Sequence, residues 1–121
     1  MGSIFKEEVL RSNTILYCEL WNQTVQFYRD ILKLSVSYET DWFVEFQLTG
    51  ETYLSIAHAK RATIRSAEGN GVTLSFRVEN VDRIQEVTCE LGLSPGEIFT
   101  VWGARAFHLY DPEGHRIEFW S

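Results

Sequence analysis

The sequence predicts an α+β chain of two βαβββ modules. Three observations carry that expectation. Two helical stripes of apolar residues recur, Val25/Tyr28/Leu32 continued by Leu34 and Ile84/Val87/Leu91 continued by Leu93. Each stripe follows one alternating segment and precedes three more, and a charge-mixed stretch without clear period separates the halves. The modules span about residues 12–58 and 72–120 of a 121-residue single domain, long enough to bury a core without metal or disulfide staples.

The first strand is expected over residues 14–19, alternating around Leu16 and Cys18. Asn22 offers a cap for a helix over 23–32, where apolar side chains return at helical spacing. Strands follow at 35–39, 42–48 and 52–57, the last two joined by a hairpin around Thr49-Gly50-Glu51. Residues 59–71, closing on Glu68-Gly69-Asn70-Gly71, read as the linker. The second module opens with a strand at 72–78. Asp82 is expected to cap the next helix with Gln85 answering three positions on, and Gly92 to end it. Strands are then expected at 95–99, 105–110 and 116–120. The last two are joined by Asp111-Pro112-Glu113-Gly114, a turn in which Pro112 presets the second position and Gly114 suits the fourth.

Composition excludes several classes. Hydrophobic residues at 45% and aromatics at 14% describe an ordered globule with a surplus of rings. A net charge of -6 lacks the basic face that nucleic acid requires. No apolar run approaches the roughly 20 residues of a membrane span, and no secretory signal pattern opens the chain. Cys18 and Cys89 form no CxxC pair, which points to a reducing, cytoplasmic setting. Cys18 is assigned to the helix-covered face and Cys89 to a helix, so neither reads as an activated nucleophile.

Strand parity sorts the side chains into two faces. Leu16, Cys18, Leu20, Leu74, Phe76, Val78, Ile117 and Phe119 point toward the helices. The opposite face receives Asn13, Ile15, Tyr17 and Glu19, then Thr73, Ser75 and Arg77, then Arg116, Glu118 and Trp120. A few polar groups among several rings is the usual lining of a small-molecule pocket. Glu118 is the candidate catalytic group, as a general base on a stiff strand. Arg77 and Arg116 either orient an anionic substrate or pair across the sheet, the pairing being preferred for Arg116, and Arg77 is the first candidate partner of Glu118. Trp21, Trp42, Trp102 and Trp120 are candidates for stacking on a flat or cationic ligand. Only His108 has an approach to the cavity through its strand, and each of His58, His108 and His115 is expected to be exposed or satisfied in the core.

The duplication, the segment Thr24-Val25-Gln26-Phe27-Tyr28-Arg29-Asp30-Ile31-Leu32-Lys33-Leu34 and the ending Asp111-Pro112-Glu113-Gly114-His115-Arg116-Ile117-Glu118 resemble the vicinal oxygen chelate proteins. These include glyoxalase I, extradiol dioxygenases, and fosfomycin and bleomycin resistance proteins. The resemblance implies curled mixed sheets around a cleft, and a homodimer that builds each cleft from two subunits. It also implies metal ligands at four positions, which here carry Asn13, Ser55, Thr73 and Glu118. One carboxylate among neutral groups is a poor set for zinc, nickel or iron, so neither a metal nor another cofactor is expected. The expected function is metal-independent small-molecule binding, with Asn13, Tyr17, Ser55, Thr73, Ser75, Arg77, Trp102 and Trp120 around the ligand. The alternative is a metal-dependent lyase, isomerase or dioxygenase of the glyoxalase I type.

Overall fold

In the computed structural model, residues 2–121 are described. The chain divides into a first unit ending at Ser66 and a second beginning at Ala67. Each unit holds a four-stranded mixed sheet.

In the first unit a short exposed helix, α1 (Ile4–Glu7), precedes strand β1 (Ser12–Cys18). Helix α2 (Trp21–Gln26) follows and widens into a π turn at Phe27–Ile31, then come β2 (Ser35–Glu39), β3 (Phe43–Thr49) and β4 (Thr52–His58). The order in the sheet is β1-β4-β3-β2, with β1 and β4 parallel and the other pairs antiparallel. Helix α2 starts earlier than Asn22 would set it. The Leu20 carbonyl accepts from both the backbone N–H and the hydroxyl of Thr24, at 3.0 and 2.7 Å, and so opens the helix at Trp21. Leu20, expected on the helix-covered face, instead lies beyond the strand end and is exposed. Leu16, Cys18, Val25, Tyr28, Phe46 and Ile56 are buried in this unit's core, and the Phe27 and Tyr28 rings meet edge to face at 5.1 Å.

The second unit repeats the plan with β5 (Thr73–Arg77), α3 (Val81–Glu90), β6 (Phe99–Val101), β7 (Ala104–Tyr110) and β8 (Arg116–Trp120), in the order β5-β8-β7-β6. Asn80, not Asp82, caps α3, its side-chain oxygen accepting from the Arg83 N–H at 3.1 Å. Asp82 sits inside the first turn and pairs with Arg105 at 2.7 Å. Gln85 donates to the Gly96 carbonyl rather than closing a capping box. The strand expected at 95–99 forms at Phe99–Val101 instead. Pro95 has no N–H to give a ladder, and Gly96 makes a single backbone bond to β7, its N–H donating to the His108 carbonyl at 2.8 Å. Leu91 follows the helix and is half exposed, so Val81 and Thr88 are the fully buried residues of α3.

The β7–β8 turn is fixed from inside. One oxygen of the buried Asp111 accepts from the N–H groups of Glu113, Gly114 and His115 at 2.9–3.0 Å, and the other meets His115 Nδ1 at 2.8 Å. Gly114 has φ +104, and a Cβ there would stand 2.7 Å from the Glu68 carbonyl oxygen. Only glycine fits such an approach. Among the described residues no helix is long and apolar enough to cross a membrane.

Candidate functional site

The tight turn at Asp111 fixes how β7 and β8 face one another. Tyr110 pairs with Arg116, and two residues further from the turn His108 pairs with Glu118. On the other side of β8, the parallel strand β5 places Ser75 opposite Glu118. Parity turns all three side chains to one face, the other carrying Phe107, Leu109 and Ile117 into the core. Glu118 Oε2 lies 3.0 Å from His108 Nε2, and Oε1 accepts from the Ser75 hydroxyl at 2.8 Å. The His108 hydrogen bond, then that from Ser75, hold the Glu118 carboxyl below the usual carboxylate range against the opposing effect of burial.

These groups line a cavity of about 560 Å³. Phe99, Trp102 and Trp120 contribute its rings, and the Phe99 and His108 rings lie 5.0 Å apart. Arg116 enters the same cavity and donates from Nε to the Thr73 hydroxyl at 2.9 Å. Trp102 occupies the tip of the β6–β7 hairpin with φ 47, followed by Gly103 at φ 75, and its side chain is 99% exposed. Left-handed backbone is unfavourable for a bulky residue, and so is a fully hydrated indole.

Of the residues expected around a ligand, Ser75, Glu118, Trp102 and Trp120 converge on this cavity. Arg77 does not partner Glu118. It stands opposite Trp120 in the ladder, its guanidinium 5.4 Å from the Trp120 ring, two ladder positions beyond the carboxylate. In the first unit Ser55 is buried and donates to the Asn13 side-chain oxygen at 2.9 Å, while the Asn13 amide donates to Glu45 at 3.3 Å. Burial pushes the Glu45 carboxyl up, but hydrogen bonds from Arg11 and Ser37 outweigh it and leave it low. Tyr17 lines a separate apolar cavity of about 270 Å³ with Ile15, Trp42, Phe43 and Arg61. Trp21 donates its indole N–H to the Ile56 carbonyl and stacks on His58, a structural role for both rings.

Phe99 and Glu45 are participants that sequence reasoning passed over, and His108, given an approach through its strand but expected to be exposed or core-satisfied, instead meets Glu118. Hairpin register was the available signal for His108. Once Asp111-Pro112-Glu113-Gly114 is the turn, residue 108 must face residue 118.

The sequence matches the glyoxalase-like domain family over residues 11–121. The chain belongs to that family. Solved structures agree in fold. A lactoylglutathione lyase from Agrobacterium tumefaciens is 17% identical with a TM-score of 0.75, covering 93% of this chain and 92% of that one. A glyoxalase/bleomycin resistance protein/dioxygenase from Nocardioides is 18% identical at TM-score 0.75, covering 95% and 86%. A glyoxalase family protein from Enterococcus faecalis is 20% identical at TM-score 0.73, covering 97% and 99%. No curated protein matches the sequence.

In this glyoxalase-like chain the four positions implied as metal ligands offer an amide, two hydroxyls and one carboxylate. Among the described residues no group of three or more His, Cys, Asp or Glu side chains stands ready to hold a metal ion. That donor chemistry does not fit a transition metal, which prefers imidazole, thiolate and carboxylate together.

Proposed function

We propose that this glyoxalase-like domain is a metal-independent, small-molecule-binding protein that takes a flat aromatic ligand into the second-unit cavity and works as a homodimer. The observation that carries the reading is the Glu118 carboxylate, hydrogen-bonded by His108 and Ser75, in the lining of an aromatic-walled cavity of about 560 Å³. Apolar walls with a few placed polar groups are what ligand sites use for affinity and orientation respectively. Ser75 and Glu118 supply the polar end, Trp102 and Trp120 the stacking surfaces, and Arg116 a positive charge for an anionic substituent. Two free cysteines support a reducing, cytoplasmic setting.

A ligand screen read by thermal shift tests the reading, with Glu118→Gln beside the parent. The amide keeps the shape of the carboxylate, so the fold should persist. Ligands that donate to Glu118 should lift the parent's melting temperature by mass action and the variant's by less. Equal lifts in both proteins would remove Glu118 from the binding site.

A further inference from the structure

We propose that Arg77 is the anion anchor of the second-unit cavity, and that the ligand taken there is a flat aromatic carboxylate whose acid group binds the Arg77 guanidinium while its ring lies along Trp120. The inference rests on the binding reading above and names the charge that the ligand carries.

The other arginines of the sheets and helices are engaged. Arg11, Arg29, Arg61, Arg83 and Arg105 each meet a carboxylate, at 2.7–3.7 Å, and Arg116 donates to Thr73. The Arg77 side chain has no hydrogen bond or ion pair among the described residues. It meets the Trp120 ring instead, 5.4 Å from the guanidinium carbon. Arg65, likewise without a carboxylate, lies in the linker rather than on a sheet face. In a chain with 17 acidic residues and a net charge of -6, a cation on the cavity face that no carboxylate claims is open to an anion from outside.

Position decides its use. Thr73, Ser75 and Arg77 turn to the face on which β8 carries Arg116, Glu118 and Trp120. The backbone under Arg77 is fixed, since the ladder pairs it with Trp120 and the next N–H, of Val78, donates to the Trp120 carbonyl at 2.8 Å. Trp120 serves twice: it lines the ligand cavity, and its ring lies under the Arg77 guanidinium. A guanidinium stacked on a ring keeps its N–H groups in its own plane, free at the edge for the two oxygens of a carboxylate. Glu118 lies two ladder positions away, about 7 Å along the strand, so a ring system fits between the two ends.

The surroundings suit a single negative charge. Arg77 lines a cavity of about 650 Å³ with Val78, Glu79 and Ser121, and Glu79 forms no ion pair with it. One guanidinium near a carboxylate balances a monoanion, whereas a phosphate monoester, at about -1.5 to -2, would be left in excess.

Calorimetric titration with 2-naphthoate and its neutral amide, 2-naphthamide, tests the anchor. The parent should bind the acid at least about fivefold more tightly than the amide, a factor suited to a charge-assisted pair at an exposed side chain. Arg77→Met should bring the two ligands level. Arg77→Lys should keep only part of the preference, because an ammonium lacks the planar fork. Raising the salt from about 0.05 to 0.5 M should shrink the parent's preference. Arg83→Met, which removes the same charge from α3, should match the parent. A preference that survives in Arg77→Met, or that disappears in Arg116→Met instead, would overturn the anchor and leave the binding reading standing. Tighter binding of 2-naphthyl phosphate than of 2-naphthoate would overturn the carboxylate assignment. Failure of the parent to bind either the acid or the amide would overturn both this inference and the binding reading.

Discussion

The Nε2 of His108 and the Oε2 of Glu118 meet at 3.0 Å across the β7–β8 pair, ten residues apart in sequence and directly opposite in register. Ser75 closes on the same carboxylate from β5 at 2.8 Å. These bonds favour the ionised form of Glu118, so they couple this site to acid stability.

A carboxyl held below its ordinary range contributes stability that is complete above the unfolded value, about 4.3 for glutamate, and fades as pH falls through the folded one. The parent should therefore exceed Glu118→Gln in melting temperature at neutral pH, and the gap should narrow below about pH 4. Thermal unfolding across that window measures it. A gap that stays constant down to acid pH would show that Glu118 draws no stability from its partners.

Trp102 holds φ 47 in a two-residue turn whose second member is Gly103. Asn before Gly is the favoured pair in such turns. Trp102→Asn should raise stability in urea unfolding by about 0.5–1 kcal/mol, since asparagine tolerates left-handed backbone. The same variant should bind cavity ligands less tightly if the exposed ring at the cavity rim closes over them, since Trp102 lines the cavity. Unchanged ligand affinity would make the exposed ring incidental.

Asp111→Ala should destabilise by about 3 kcal/mol or more, because three backbone N–H groups and a buried imidazole lose one acceptor together. Denaturant midpoints provide the measure. Gly114→Ala should also be costly, since the added methyl collides with the Glu68 carbonyl at 2.7 Å while φ stays at +104.

Light scattering should return about twice the 14.1 kDa chain mass at micromolar concentration, a closed two-fold dimer being the commonest way to cover apolar surface. A mass near 14.1 kDa would count against a homodimer.

Elemental analysis after dialysis against a weak chelator should find less than stoichiometric zinc, nickel, manganese and iron. Stoichiometric metal that disappears in Glu118→Gln would move the protein to the metal-dependent class.

The fold was legible because burial alternates along the strands that flank the core, although β4 buries Leu54 to Ala57 without a break. Leu16 and Cys18 in β1 and Phe107, Leu109 and Ile117 in β7 and β8 alternate with solvent-facing or cavity-facing neighbours. Helix starts were less so, because capping depends on which carbonyl or side chain reaches the first turn. Leu20 and Asn80 serve, and Asn22 and Asp82, good caps by residue type, fall inside their helices. Glu118 was found from its turn and parity. Its partner was misassigned to Arg77 because parity gives only the face. The ladder gives the neighbour, and it sets Arg77 against Trp120.

The Asn13, Glu45 and Ser55 network of the first unit suggests a use in protein engineering. Ser55 holds the register position of Glu118, Glu45 that of His108 and Ile15 that of Ser75. The first-unit sheet is thus a ready recipient for a transplant. Ser55→Glu, Glu45→His and Ile15→Ser together would write the second unit's trio onto strands that already pair in the required register, Ser55 being the buried position at which the larger side chain must find room. At these three register positions the two sheets of one chain carry different side chains on matching strands.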